Sequence, residues 1–242
     1  MAGVGTFVLE FATLSRLSGD AKYEEAANKA LDALWNRRSF INLVGNHINV
    51  QSGKWTAADS TIGSGVDSYF EYLVKGGLLL NRPDFIKQFH TYERAIKKYM
   101  SHDDWFLWSN MNKGHKTLPL FSSLDAFYPG MLTLIGNLEQ AIRTAKQYHQ
   151  IWRQFGSLPE FYNIQNKNIH MNREAYPLRP ELIESVMYIL RATNNDAQFF
   201  EMAMDYVGSI VNIGKVYCGF ATVIVLFLIL ATDWIHREYL II

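Results

Sequence analysis

The fold is decided by residues 68–100, SYFEYLVKGGLLLNRPDFIKQFHTYERAIKKYM. Residues 68–80 are apolar over most of their length. Asn81-Arg82-Pro83-Asp84 then supplies turn formers, a proline suited to the first turn of a helix, and an acid for its positive end. From Phe85 to Met100 apolar residues return at helical spacing among Lys, Arg, Gln and Glu, the pattern of an amphipathic helix. The stretch predicts a helical hairpin: an apolar helix, a short break and an amphipathic helix.

The same unit recurs on both sides. Upstream, residues 4–18 place Phe7, Phe11, Leu14 and Leu17 at helical spacing, and Leu17-Ser18-Gly19-Asp20 stops that helix. Asp20 can cap a second helix with an apolar stripe of Tyr23, Ala26, Ala27, Ala30, Leu31, Leu34 and Trp35. Downstream, a helix over 124–135 breaks at Gly136-Asn137 and resumes over 138–155. Another over 181–192 breaks at Thr193-Asn194-Asn195-Asp196 and resumes to about Val211. Hairpins spaced roughly 50–65 residues apart read as a repeat architecture, with a longer period than tetratricopeptide or HEAT repeats. The loops 36–64, 101–123 and 156–179 each join the second helix of one hairpin to the first of the next, so all should open on one face. Loops of that length are uncommon in a compact domain unless functional. Residues 48–55 and 105–120 alternate around turn signals and read as short β-hairpins. The expected architecture is all-α, a toroid of helical hairpins with its site on the loop face; an open solenoid is the alternative.

Composition narrows the function classes. Hydrophobic residues make up 49% and charged residues 19% of 242, a globular balance able to bury a sizeable core. Lys plus Arg and Asp plus Glu are 23 each, so no net field points to nucleic acid. Aromatics reach 14%, which suits flat hydroxylated ligands but first of all a core of large side chains. Cys218 is the single cysteine, excluding an internal disulfide and a cysteine metal cluster. The opening residues have no signal-peptide pattern. The seven His residues form no metal-ligand pair on a helix, and neither a nucleophile elbow nor a Gly-rich phosphate loop occurs. Basic clusters such as Arg94-Lys97-Lys98 read as solvated helix faces.

The chemistry sits among acids near the long loops: Asp59, Asp67, Glu71, Asp125, Glu160, Glu181 and Glu184. Asp67 stands where Gly63-Ser64-Gly65 becomes a helix, Asp125 and Glu181 at corresponding positions of later hairpins, so three acids should converge at one end of the barrel. Tyr176-Pro177-Leu178-Arg179-Pro180-Glu181-Leu182-Ile183-Glu184-Ser185 puts Glu181 and Glu184 in one first turn, with Pro180 fitted to its opening. Helix starts attract acids for structural reasons alone. Carboxylates flanking an aromatic-walled cleft are also the equipment of glycoside hydrolysis, one giving a proton to the leaving oxygen and the other activating water or attacking.

Several segments together resemble glycoside hydrolase family 47, the α-1,2-mannosidases, in its endoplasmic-reticulum degradation-enhancing α-mannosidase-like branch. They are Gly3-Val4-Gly5-Thr6-Phe7 with Leu9-Glu10-Phe11, Leu43-Val44-Gly45-Asn46, and Asp67-Ser68-Tyr69-Phe70-Glu71-Tyr72-Leu73. To these are added Leu158-Pro159-Glu160-Phe161-Tyr162-Asn163, Tyr176 through Ser185, and Cys218-Gly219-Phe220-Ala221-Thr222. Gly65, where processing mannosidases typically carry arginine, favours the degradation-enhancing branch. The resemblance implies an (α/α)7 barrel, of which this chain keeps about four of seven hairpins, and calcium-dependent, inverting hydrolysis of α-1,2-linked mannose. It makes Glu181 the catalytic base and Asp67 a second essential carboxylate, acting as acid or supporting it. Arg179, Pro180, Glu184, Glu160 and Asp125 would bind the sugar. The implied partners are mannose-rich N-glycans of misfolded glycoproteins in the endoplasmic reticulum.

The departures are equally specific. The family's general-acid glutamate segment would lie upstream of Met1, and the downstream segment and threonine that hold calcium are not found, so no metal ligand is expected in this chain. The 242-residue form is then expected to show no turnover of its own. Residues 1–222 read as a partial catalytic domain and 223–242 as a non-homologous apolar tail. Residues 216–232 carry no charge, at the lower limit for a membrane span; an abnormal end is the other reading. A mannose-binding adaptor or an inactive truncated product is the alternative function.

Overall fold

The computed structural model describes residues 1–225, in two compact units divided after Pro119. In the first unit, α1 (Ala2–Gly5) and α2 (Val8–Ser18) precede α3 (Lys22–Trp35), and a long loop leads to α4 (Asp67–Leu79) and α5 (Pro83–Tyr99). α2 packs on α3, α4 on α5, and α2 on α4, so two hairpins sit side by side through their first helices. Asp20 accepts the N–H of Lys22 at 3.1 Å, and Gly19 ends α2 with φ of 74°, a left-handed conformation that glycine adopts at little cost.

Residues 4–18, expected as one helix, are split at Thr6-Phe7, and the stripe of Phe7, Leu14 and Leu17 is not the buried face. Val8, Ala12 and Ser15 are buried instead, while Leu17 is 83% exposed. This face packs closely on α4, where a Cβ added at Gly76 would stand 3.3 Å from Val8 Cγ1. The aromatic richness goes into the core, where Trp35, Tyr69, Phe70, Phe89 and Tyr92 meet edge to face and the Tyr69 and Tyr92 hydroxyls lie 3.0 Å apart. The loops join one another here. Asp59–Ser60 of the first loop pairs with Trp108–Asn110 of the second, which pairs with Lys116–Leu118. His47–Ile48 also pairs with Trp55–Ala57, close to the expected hairpin.

In the second unit a 3₁₀ turn, Ser123–Phe127, leads into α6 (Tyr128–Leu134), then α7 (Leu138–Phe155), α8 (Glu181–Ala192) and α9 (Ala197–Ser209). The helix expected over 124–135 is thus two pieces, because Ser122 and Asp125 close a capping box ahead of α6. α6 packs on α7, α8 on α9, and α6 on α8. That last contact is close: a Cβ on Gly130 would meet the Ser185 Cα at 3.0 Å, so α6 needs glycine there. Leu120–Ser122 pairs with Phe161–Asn163, which pairs with Asn168–Ile169, joining the second and third long loops. Ala175–Tyr176 pairs with Val223–Ile224.

Over residues 216–224 the apolar run is not helical: Lys215–Val216 and Gly219–Phe220 form a hairpin before Val223–Ile224. Glycine and the turn at 217–218 override the apolar character there. No helix among the described residues is long and apolar enough to cross a membrane, and 226–232 lie outside them.

Candidate active site

The second unit brings most of the candidate residues onto adjoining segments. Glu181 is the first residue of α8, and Pro180 is its N-cap (φ −88°, ψ −6°), one position earlier than the first-turn place its sequence suggested. Pro180 can stand there because Glu184 N–H donates to its carbonyl at 2.9 Å, starting the helix without any N–H from the proline. Arg179 precedes it, with Nε donating to Glu160 Oε1 at 2.8 Å and Nη2 to Glu160 Oε2 at 3.3 Å. This two-point pair fixes the plane of the guanidinium, which a single contact would not. The backbone of Glu160 is held in turn, its N–H by Ala175 O at 3.0 Å and its carbonyl by Ser123 N–H at 3.1 Å. Leu178 adopts φ of 58°, a left-handed conformation unusual for leucine, so the turn entering α8 is imposed by its surroundings.

Glu184, half-buried, accepts from Tyr188 Oη at 3.1 Å one turn along α8. Asp125 is buried, and its Oδ2 accepts the Ser122 N–H at 2.9 Å, so its carboxylate closes the turn before α6. Ser185 ties that turn to α8: buried, it donates to Ala126 O and accepts from Gly130 N–H at 2.9 Å. Glu160, Arg179, Pro180, Glu181 and Glu184 thereby form one cluster at the mouth of α8, with Asp125 in the turn that α8 is pinned to. Burial, and then the Glu181 carboxylate, push the nearby Tyr176 hydroxyl up to about 12, so it remains a protonated donor.

Asp67 belongs to the first unit. It is the first residue of α4, as Glu181 is of α8, and its Oδ1 accepts the Ser68 N–H at 2.7 Å. The preceding Gly63 carbonyl accepts the Asp67 N–H at 2.8 Å, and Gly65 turns with φ of 88°. Among the described residues no three His, Cys, Asp or Glu side chains could hold a metal ion together.

Sequence reasoning missed Ser185, Tyr188 and the role of Tyr176. The Ser122-x-x-Asp125 capping pattern and the Glu184-x-x-x-Tyr188 spacing were legible as local pairs. The Ser185 bridge was not, because its partners lie in a distant hairpin.

The profile of glycosyl hydrolase family 47 matches residues 1–224. The chain is 54% identical over 222 residues to ER degradation-enhancing alpha-mannosidase-like protein 2 of Mus musculus and to that of Homo sapiens, covering 92% of this chain. It is 39% identical over 219 residues to an alpha-mannosidase I of Arabidopsis thaliana, covering 90% of this chain and 35% of that protein. The chain spans 38% of the length of the mouse and human relatives. Among solved structures, an alpha-1,2-mannosidase from Trichoderma reesei superposes with a TM-score of 0.79 at 21% identity, covering 92% of this chain and 54% of that one. A D-mannose isomerase superposes with a TM-score of 0.63 at 12% identity, covering 91% and 63%. The shared architecture is the (α/α)7 barrel of the mannosidase, part of which this chain supplies.

Proposed function

The chain belongs to glycosyl hydrolase family 47, and on that premise we propose that it carries the base side of an inverting α-1,2-mannosidase site. The observation that carries this reading is the Arg179–Glu160 pair held at the mouth of α8, one residue on from which Pro180 presents Glu181. A guanidinium fixed by a carboxylate along its Nε–Nη2 edge is a rigid donor for sugar hydroxyls, and Glu181 beside it activates water. Glu184, oriented by Tyr188, and Pro180 shape the same pocket, and Asp125 supports it through the turn it closes. Asp67, in the first unit, belongs to the same proposal as the family's second essential carboxylate, acting as acid or supporting it.

The substrate in this reading is the α-1,2-linked mannose of mannose-rich N-glycans on misfolded glycoproteins, and the place is the endoplasmic reticulum. The relatives' names support a mannosidase-type protein of the endoplasmic reticulum, and the linkage and the N-glycan are what the family resemblance implies. Calcium dependence belongs to the same proposal as a family expectation. Residues 1–222 belong to this proposal as part of the family's catalytic domain, the family match running to 224, with an apolar tail after it.

The test has two parts. In protein reaching the length of the mouse and human relatives, Glu181→Gln is expected to abolish release of free mannose from an α-1,2-linked substrate while the fold is kept. Unchanged release sinks the base assignment, and glycan binding without release by the unaltered protein supports an adaptor instead. In the chain itself, calorimetric titration with α-1,2-mannobiose is expected to show binding that Arg179→Ala removes.

A further inference from the structure

The turn between Tyr176 and Glu181 is braced from behind by buried aromatic side chains on neighbouring helices. The Tyr176 ring, 1% exposed, stands edge-on to Trp152 of α7, with centroids 5.3 Å apart and planes at 82°. Trp152 is equally buried and meets Tyr206 of α9 at 4.7 Å, while its indole N–H donates to Ser209 Oγ at 3.1 Å. One row of rings therefore runs from α9 through α7 to the turn. At its near end the Tyr176 hydroxyl donates to the carbonyl of Arg179 at 3.1 Å, spanning Leu178 with its left-handed φ.

We infer that Tyr176, seated on Trp152, is a positioning residue for Arg179 and Glu181. The hydroxyl bond is the element that holds Leu178 in a conformation a leucine otherwise leaves. Release of that bond lets Leu178 return to negative φ. The Arg179 guanidinium then rotates out of the plane set by Glu160, and the start of α8, where Glu181 sits, shifts with it. A ring without the hydroxyl still fills the core, so packing alone does not account for a tyrosine there. Trp152 gives the ring a fixed seat, since its own indole is anchored on α9. Groups that bind or react need placement to about half an ångström, which this kind of backing shell supplies. The inference rests on reading Arg179 and Glu181 as sugar-facing groups, and its test keeps the two apart.

The experiment uses the whole chain and the variants Tyr176→Phe, Trp152→Phe and Trp152→Leu, with Phe200→Ser on the exposed side of α9 as control. Three readouts are taken: amide hydrogen exchange over residues 176–185, the Arg179 Nε–Hε resonance, and affinity for α-1,2-mannobiose. In Tyr176→Phe, which lacks one oxygen, exchange over 178–184 is expected to rise about tenfold while exchange in the helices is kept. The Arg179 resonance should move, and affinity should fall about tenfold. Trp152→Leu should reproduce this and Trp152→Phe, which keeps a ring, should recover most of it; Phe200→Ser should change none of the three. Unchanged exchange and an unmoved Arg179 resonance in Tyr176→Phe overturn the inference, and that variant decides it even where Trp152→Leu fails to fold. Wild-type chain that does not bind mannobiose, with exchange and resonance still responding, removes the sugar reading and leaves the positioning role standing.

Discussion

At the residue scale the candidate acids differ in the hydrogen bonds their carboxylates make. Asp125, which the family resemblance makes a sugar contact, also accepts the Ser122 N–H in a capping box through Oδ2. Glu160 is engaged too, but with a side chain that is itself a candidate, Arg179. Glu160→Gln should therefore lower mannobiose affinity through loss of the charge-assisted pair, with little change in urea midpoint, whereas Asp125→Ala should lower the midpoint most. Ser185 gives a sharper case. Ser185→Ala strands the buried Gly130 N–H and the Ala126 carbonyl, at an expected cost of about 1–3 kcal/mol in urea unfolding. The acids were legible in the sequence because Arg179-Pro180-Glu181 and Glu184 fall within one helix start. The pairing of Glu160 with Arg179 was not, because the two stand 19 residues apart on segments that only the fold brings together.

At the element scale the hairpins follow their sequence signals closely: α4 with α5, α6 with α7 and α8 with α9 end near the expected Asn, Asp and Gly breaks. The first hairpin departs from its sequence signal in which face is buried. Helical periodicity marks an apolar stripe but not its neighbour, and on α2 the buried face is Val8, Ala12 and Ser15, with Val8 close to Gly76 of α4. The contact between α7 and α9 has a pH-dependent part. His149 of α7 packs edge-on to Tyr206 at 5.3 Å, its Nδ1 is buried without a hydrogen-bond partner, and its Nε2 is 3.5 Å from Asp205 Oδ2. Burial lowers its affinity for a proton below the ordinary 6.5, and Arg153 adds to this while Asp205 opposes it. The unfolded chain then binds the proton more readily than the folded one. The stability this side chain contributes is full above pH 6.5 and is lost as the pH falls through the lowered folded value. Melting temperature followed against pH should drop over that window, and His149→Gln should flatten the drop.

At the scale of the whole molecule, an apolar stripe on α9 faces solvent: Phe200 is 56%, Met204 54% and Val207 51% exposed. A run of that kind favours self-association, so sedimentation coefficients should rise with concentration, and Met204→Lys with Val207→Glu should suppress the rise. Unchanged association in that double variant would place the contact elsewhere. The pairing of Ala175–Tyr176 with Val223–Ile224 has a consequence in time as well as in space. As the chain leaves the ribosome, the strand that carries Tyr176 appears long before the strand that completes it. Both helices of the last hairpin must emerge and turn back first. The turn that follows Tyr176 thus matures late, and a nascent chain halted before residue 223 should expose it to protease while α6 and α7 are already protected.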